Sequence, residues 1–489
     1  MSDQNNVSAS VAEWAHGLKY SDVPPRVVEE AKNQVLSVVS GIHAGHFSEV
    51  GRMISRTVKD WSGGKEATLI PSGDKTSAHY AIFANAALSM ALLYDDHMIG
   101  THPGASSVVV ALSLAEKLGS TGKEIVLAQI AANEVAGRLG LASTTDDLSE
   151  YRTPAAHRMA AAVAAARLLG LDAAQTFSAH GLAMQEPGLA VRAGLVGSDS
   201  KILGAAMAAP AGVQAAELAG NGLVAQGDVL GGADGYCAVA GPLSGADAFR
   251  TLGELWLTET LGYSAYPCAI HVGGAIDCVM AILRQHNVDG RKVDKVEVTV
   301  GPAAREIDLE ARKYIAGVDT LPAALAFSLA YNVAVTLLDK EYSPRQLTRD
   351  RVRDEAVWDL ANRVEIVVDP SSEADIRSRS LPSQVERAKQ GDFDIGRIDL
   401  RGVRAGLATK VRVQLKNERV FEIQRDAPSG MGTGPFDDRV KTVEDKFRRE
   451  TRYTLRKERM EKAIDLIHYL ERATPANIKE LIRCSCSER

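Results

Sequence analysis

Residues 88–104, LSMALLYDDHMIGTHPG, decide how the rest of the chain is read. Ala84, Ala87, Leu88, Ala91 and Leu92 recur at three- and four-residue spacing and predict a helix, whose apolar period is lost where Tyr94, Asp95, Asp96 and His97 arrive. Gly100 follows, then Thr101-His102-Pro103-Gly104, in which Pro103 biases His102 towards an extended conformation at an element boundary. A second helix, VVVALSLAEKL, starts almost at once with Ser106 or Ser107 as its cap, and its apolar residues are too continuous for a surface helix. Two carboxylates and two imidazoles thus stand between two buried helices. Residue types alone leave two readings, an acid–base centre or helix-end acids beside a capping histidine.

The composition points the same way. Hydrophobic residues make up 45% of the 489 but aromatic residues only 5%, which favours closely approaching Ala- and Gly-rich helices over an aromatic β core. Fifty-six basic against 62 acidic side chains, a net charge of −6, give no electrostatic reason to expect nucleic acid or an acidic membrane as partner. Five cysteines, without zinc-ligand spacing, suggest neither a disulfide framework nor a structural metal and fit a reducing cytoplasm. Cys484 and Cys486 read as a frayed terminal thiol pair. The polar N-terminus lacks signal-peptide character and no apolar run reaches spanning length, so a cytoplasmic location is expected.

Taken in order, residues 11–18 and 24–44 are helical, with Pro24 and Pro25 opening the second helix. An extended piece at 66–70 precedes the focal stretch, and a helix starting at Thr121-Gly122-Lys123-Glu124 follows it. AAHRMAAAVAAARLLG, 173–184 and 202–219 are small-sided helices, a Gly-rich loop between the last two carries Arg192 and Lys201, and 246–261 closes the helical block. From Pro267 the pattern changes. A helix at 273–285, strands at 295–300 and 363–369, and a hairpin at 410–425 turning at Lys416-Asn417-Glu418 form an α+β unit, with helices 321–339 and 356–362 among them. Two amphipathic helices, 443–450 and 459–471, finish the chain.

The order of these elements, with VPPRVVEEAKNQVLSVVSGIHAG, YDDHMIGTHPG, AARLLGL, YPCAIHVGGAID, FSLAYNVAVTLLD and a DKF near the C-terminus, resembles the MmgE/PrpD family, which includes 2-methylcitrate dehydratase, cis-aconitate decarboxylase and iminodisuccinate epimerase. The resemblance implies a mainly α fold with an α+β insertion: a large all-helical domain from 1–266 and 426–489, and a smaller α+β lid from 267–425. It also implies a homodimer, a site between the two domains, and chemistry without metal or organic cofactor. Asp95 and Asp96 match the family's paired acids, His102 its HP-G histidine, Lys201 its site lysine and Tyr331 its lid tyrosine. Other positions depart from it. Leu93 replaces an acid, His97 a threonine, Ile202 an arginine, Ser264 a lysine and Gly273 a histidine. A further family histidine falls on Tyr151 without gaps, and His157 takes that role only if the intervening loop is rearranged.

These residues suit the movement of a proton on a carbon next to a carboxylate, which needs a base of near-neutral proton affinity and cations to hold the carboxylate. His102 is the expected base, Asp96 its orienting or second acid–base group, and His97 an opposite-face donor. Lys201, and with it Arg192, would pair with substrate carboxylates, and Tyr331 would donate from the lid. Asp95, Tyr151, His157, Arg192, Ser264 and His271 complete the expected substrate-binding set; His157 and His271 also read as packing residues. The expected function is a cofactor-independent lyase, dehydrating or decarboxylating a small di- or tricarboxylate. An isomerase or a silent carboxylate-binding relative is the alternative.

Overall fold

The helix expected around 24–44 is the axis of the larger unit in the computed structural model, which describes residues 6–487 apart from 62, 144–152, 189, 191–193, 242, 370–406 and 432–435. Pro25 occupies the first turn of this helix, α1 (Pro25–Phe47), where its fixed φ fits and its missing N–H costs nothing. Beyond Val27 the helix is buried on nearly every side. A hairpin of β1 (Ala67–Leu69) and β2 (Asp74–Thr76) leads into α2 (Ala78–Met90). After the short strand β3 (Asp96–His97) come α3 (Gly104–Leu118), α4 (Gly122–Ala142), α5 (Thr153–Leu168), α6 (Ala173–Met184) and α7 (Ala208–Gly220). Thr121 and Glu124 make the capping box that their spacing predicts for α4.

The helical stretch expected at 246–261 is broken. A short helix, Gly245–Phe249, gives way to turns and a 3-10 turn, Leu257–Thr260. The cause is a buried ion pair on α4. Glu134 accepts from the Leu257 and Thr258 amides at 3.0 and 2.8 Å, while Arg138, 2.7 Å from Glu134, donates to the Thr251 and Leu255 carbonyls at 3.1 and 2.9 Å. Backbone groups that a continuous helix would pair internally are thus taken by side chains.

β4 (Gly262–Tyr263) pairs with β3 and leads into the α+β unit. Helix α8 (Ile270–Gln285) and helix α9 (Leu329–Asp339) pack with a sheet of β5 (Val293–Val300), β6 (Val364–Val368), β7 (Thr409–Leu415) and β8 (Val420–Arg425). Its order is β6-β5-β7-β8, with β5 and β6 parallel and the other pairs antiparallel. Val411, Val413 and Leu415 alternate inward along β7 as period-2 patterning requires. The expected helix 321–339 is two pieces, Pro322–Leu325 and α9, because Asn332 Nδ2 donates back to the Leu325 and Ser328 carbonyls and Asp308 accepts from the Leu329 amide.

α10 (Phe436–Thr451) and α11 (Lys457–His468) return to α1, and a third helix, α12 (Pro475–Cys484), ends the described chain. Cys484 and Cys486 are buried, and the Ser487 amide donates to the Pro71 carbonyl at 2.8 Å. The terminal thiols are therefore packed and not frayed. The chain is mainly α with a small α+β region, and among the described residues it has two large hydrophobic cores, one helical and one around the four-stranded sheet. Leu92, Leu93 and Tyr94 from the focal stretch belong to the second core, which pins that stretch to the seam between the units. By length and hydropathy Gly122–Ala142 and Asp199–Gly220 would each suffice to cross a membrane, contrary to expectation, but the first is wholly buried here.

Candidate active site

The helix running to Met90 cannot continue. Leu93 takes a left-handed backbone (φ 54°), a strained choice for a γ-branched residue, and turns the chain so that Tyr94 enters the second core. Asp96 and His97 then pair with Tyr263 and Gly262. Ile99 and Gly100, both left-handed at φ 44° and 71°, reverse the chain, and Met98 and Thr101 exchange 2.9 Å backbone bonds. Gly140 of α4 admits this hairpin, since a Cβ there would lie 2.5 Å from the Ile99 carbonyl oxygen. His102 is delivered at its end.

The two acids part company at this turn. Asp96 faces inward and accepts from the Gly104 amide at 3.1 Å and Gln34 Nε2 at 2.5 Å, so the first amide of α3 is satisfied by Asp96, while Pro103 holds the N-cap position and the expected caps Ser106 and Ser107 lie within the helix. Burial raises its pKa and the neighbouring Asp95 charge adds to that, against the Gln34 hydrogen bond and the His102 charge. The expected orienting role therefore falls to its main chain: the Asp96 carbonyl lies 2.8 Å from His102 Nδ1. A carbonyl only accepts, so Nδ1 carries the proton and Nε2 is the basic nitrogen.

Asp95 faces the imidazole, with Oδ2 3.4 Å from His102 Nδ1 and 4.0 Å from Lys201 Nζ. Both its oxygens are buried without a hydrogen-bond partner. Burial alone would raise its pKa, but Lys201, His102 and His97 together bring it below the ordinary value. The His97 ring meets His102 edge-on at 4.6 Å, and its Nε2 is 3.1 Å from Ser264 Oγ. The Ser264 amide donates to the Asp95 carbonyl at 3.2 Å.

Across from His102, His157 on α5 holds Nδ1 3.1 Å from Ser106 Oγ. Burial, helped by the His102 and Lys201 charges, pushes its pKa down to about 3 and keeps the ring neutral. His102, His157 and Lys201 line one cavity of about 520 Å³, whose wall also carries the polar Arg158, Glu186 and Ser200 and apolar residues such as Met90, Leu195, Leu203 and Ala208. From the α+β unit Phe327 comes near Lys201, its ring centroid 6.0 Å from Lys201 Nζ, without lining the cavity. Tyr331 and His271 do not line this cavity. Tyr331 donates to the Gln346 carbonyl at 2.6 Å and packs against Trp358, and His271 Nε2 is 3.0 Å from the Phe327 carbonyl. Tyr151 and Arg192 lie outside the described residues. Among the described residues no group of three or more His, Cys, Asp or Glu side chains is arranged to hold a metal ion.

Gln34, Phe327 and Lys446 also belong to the site's surroundings and were not singled out by sequence. Gln34 sits within an ordinary-looking helical face, whereas Lys446 lies in the DKF string. Lys446 Nζ donates to the Tyr94 carbonyl at 2.7 Å and to Ser37 Oγ at 3.0 Å.

Two family models match the chain in sequence order, the MmgE/PrpD N-terminal domain over residues 9–247 and the MmgE/PrpD C-terminal domain over 266–471. The chain belongs to the MmgE/PrpD family. Curated relatives of this MmgE/PrpD chain include cis-aconitate decarboxylase of Aspergillus terreus, 24% identical over 474 residues covering 90% of this chain and 92% of that protein. Cis-aconitate decarboxylase of Homo sapiens is 26% identical over 297 residues, 58% of this chain and 61% of that protein. A cis-aconitate decarboxylase-like protein of Aspergillus oryzae is 24% identical over 303 residues, 58% and 63% of the two chains.

Proposed function

We propose that this MmgE/PrpD chain is a lyase that removes carbon dioxide or water from a small di- or tricarboxylate without a cofactor. The observation that carries the reading is the convergence of His102, Lys201 and neutral His157 on one cavity, with Asp95 buried behind the first two. The family and the names of the relatives support a lyase, and those names favour decarboxylation of an unsaturated tricarboxylate such as cis-aconitate.

In such a reaction Lys201 pairs with a substrate carboxylate, in a cavity where exclusion of water strengthens the attraction. The bond to the leaving carboxylate breaks, its electron pair passes into the carbon skeleton, and a proton is delivered to carbon from His102 Nε2. Asp95 stabilises the imidazolium formed before that delivery, and the Asp96 carbonyl keeps the ring in register. His157 donates or accepts a hydrogen bond as a neutral ring. Dehydration would use the same base in the opposite sense, taking a proton from carbon while water leaves. Ser264 in place of a lysine removes one cation, which makes a dicarboxylate a substrate to test beside the tricarboxylates. The exposed apolar Val224 and Val239, which lie outside the cavity lining, support a homodimer, and five unpaired cysteines fit a cytoplasmic setting.

The test is proton NMR in deuterium oxide of the purified protein with cis-aconitate, citrate, 2-methylcitrate, iminodisuccinate and simpler dicarboxylates. A new vinyl product that disappears in a folded His102→Ala variant supports the proposal. Full activity in that variant refutes His102 as the base, deuterium entering unreacted substrate alone points to an isomerase, and silence across the panel refutes the lyase reading.

A further inference from the structure

Lys446 does not reach the cavity, yet it is the best-buried ammonium near it. Its Nζ is fully enclosed on α10, 4.0 Å above the Tyr94 ring, and among the described residues no carboxylate lies within 4 Å of it. Its hydrogen-bond partners are neutral, Ser37 Oγ from α1 and the Tyr94 carbonyl. An ammonium satisfied only by neutral acceptors is costly to bury, so its presence there asks for a function. The Tyr94 carbonyl is part of the peptide that leads into Asp95, directly after left-handed Leu93. The donor therefore grips the backbone where a strained turn aims a carboxylate at His102.

The surrounding charges agree. Asp95 and Asp96 from the turn and Glu450 from its own helix favour the ammonium, Arg449 opposes it, and burial outweighs them all and brings it down to about 7. α1 presents Ser37 to it, a neutral group. We propose that Lys446 is a positioning residue for the proton-transfer centre, holding the Tyr94–Asp95 peptide in place and balancing the charge of both carboxylates from behind the cavity. This rests on the reading of the cavity as a proton-transfer site, but its physical core, coupling between Lys446 and Asp95, is measurable without turnover.

The experiment is a carbon NMR titration of protein labelled at lysine Cε, with the Lys446 signal assigned by its absence in Lys446→Arg. A midpoint near 7 that falls by about half a pH unit or more in Asp95→Asn is the expected result; a midpoint unmoved by Asp95→Asn overturns the proposal. Kinetics on whichever acid is turned over add a second readout. Lys446→Met is expected to lower kcat about tenfold or more and to shift the pH optimum while KM stays within about twofold, with Lys446→Arg recovering most of the rate. Unchanged kcat and pH profile in a folded Lys446→Met protein also overturn the proposal. Should Lys446→Met fail to fold, the titration decides alone. If the wild type turns over no acid, the lyase reading fails while the titration still tests the coupling.

Discussion

Replacing Lys446 by methionine is expected to make the folded protein more stable at neutral and acidic pH, by an amount that depends on pH in a calculable way. The amine is fully enclosed, and burial brings it from 10.5 down to about 7. A lysine whose proton affinity is lower in the folded state costs stability when protonated in both states, and stability rises with pH wherever the unfolded chain binds more protons. That cost is complete below about 7 and is relieved as pH rises towards 10.5. At about 1.4 kcal/mol per pH unit, the ceiling is about 5 kcal/mol. Against it stand two lost hydrogen bonds, to Ser37 and Tyr94, at about 1 kcal/mol each, and a Tyr94 carbonyl left without this donor, at about 1–2 kcal/mol. The net expectation is a variant about 1–2 kcal/mol more stable than wild type at pH 6 and less stable by pH 10. Urea unfolding followed by tryptophan fluorescence from pH 6 to pH 10 measures the difference. Parallel curves for the two proteins across that range would refute the reasoning, because a lysine with an ordinary proton affinity gives no crossing.

Other expectations follow from the same geometry. Burial lowers His43 and His157 to about 3 and His180 to about 4; their contribution is present above the unfolded value near 6.5 and is lost as pH falls below it. Urea midpoints should therefore drop between pH 6.5 and 4.5 at up to about 1.4 kcal/mol per pH unit per histidine, and flat midpoints would contradict the assignment. His157→Gln, which removes a ring already neutral, should lower activity without adding or removing a limb of the pH profile above pH 5. In Gly140→Ala the new Cβ meets the Ile99 carbonyl oxygen and Thr101 Cγ2 at 2.5 and 2.6 Å; a cost of about 1–3 kcal/mol in thermal unfolding and a fall in kcat are expected, since the displaced hairpin carries His102. Glu134→Ala leaves Arg138 buried without its acid and two amides, of Leu257 and Thr258, without their acceptor; a loss of about 3–5 kcal/mol is expected, and a change below about 1 kcal/mol would show the pair to be dispensable.

The helical and α+β units are legible from residue pattern because each helix and strand carries its own periodicity. Val27 to Ile42 and the alternating Val411, Val413 and Leu415 announce their buried faces whatever lies opposite. His102 and Lys201 can be picked out for the same local reason, since Pro103 and the Gly-rich loop mark both as lying at element ends. What local pattern cannot give is direction. Asp95 and Asp96 are adjacent and chemically alike, and only the pairing of Asp96 with Tyr263, together with the free amide at the start of α3, sends one carboxylate inward and the other to the imidazole. Tyr331 sits at a family position, yet a carbonyl 15 residues further on claims its hydroxyl. The breaks at 246–261 and 321–339 likewise come from side chains far off in sequence, Glu134 and Arg138 in one case and Asp308 in the other. By itself the sequence determined the family, the mainly α class and most of the elements, though not where two of the helices break. The tertiary structure decided which oxygen faces which nitrogen, because hydrogen-bond partners and burial are set by contacts between elements and not by spacing along the chain.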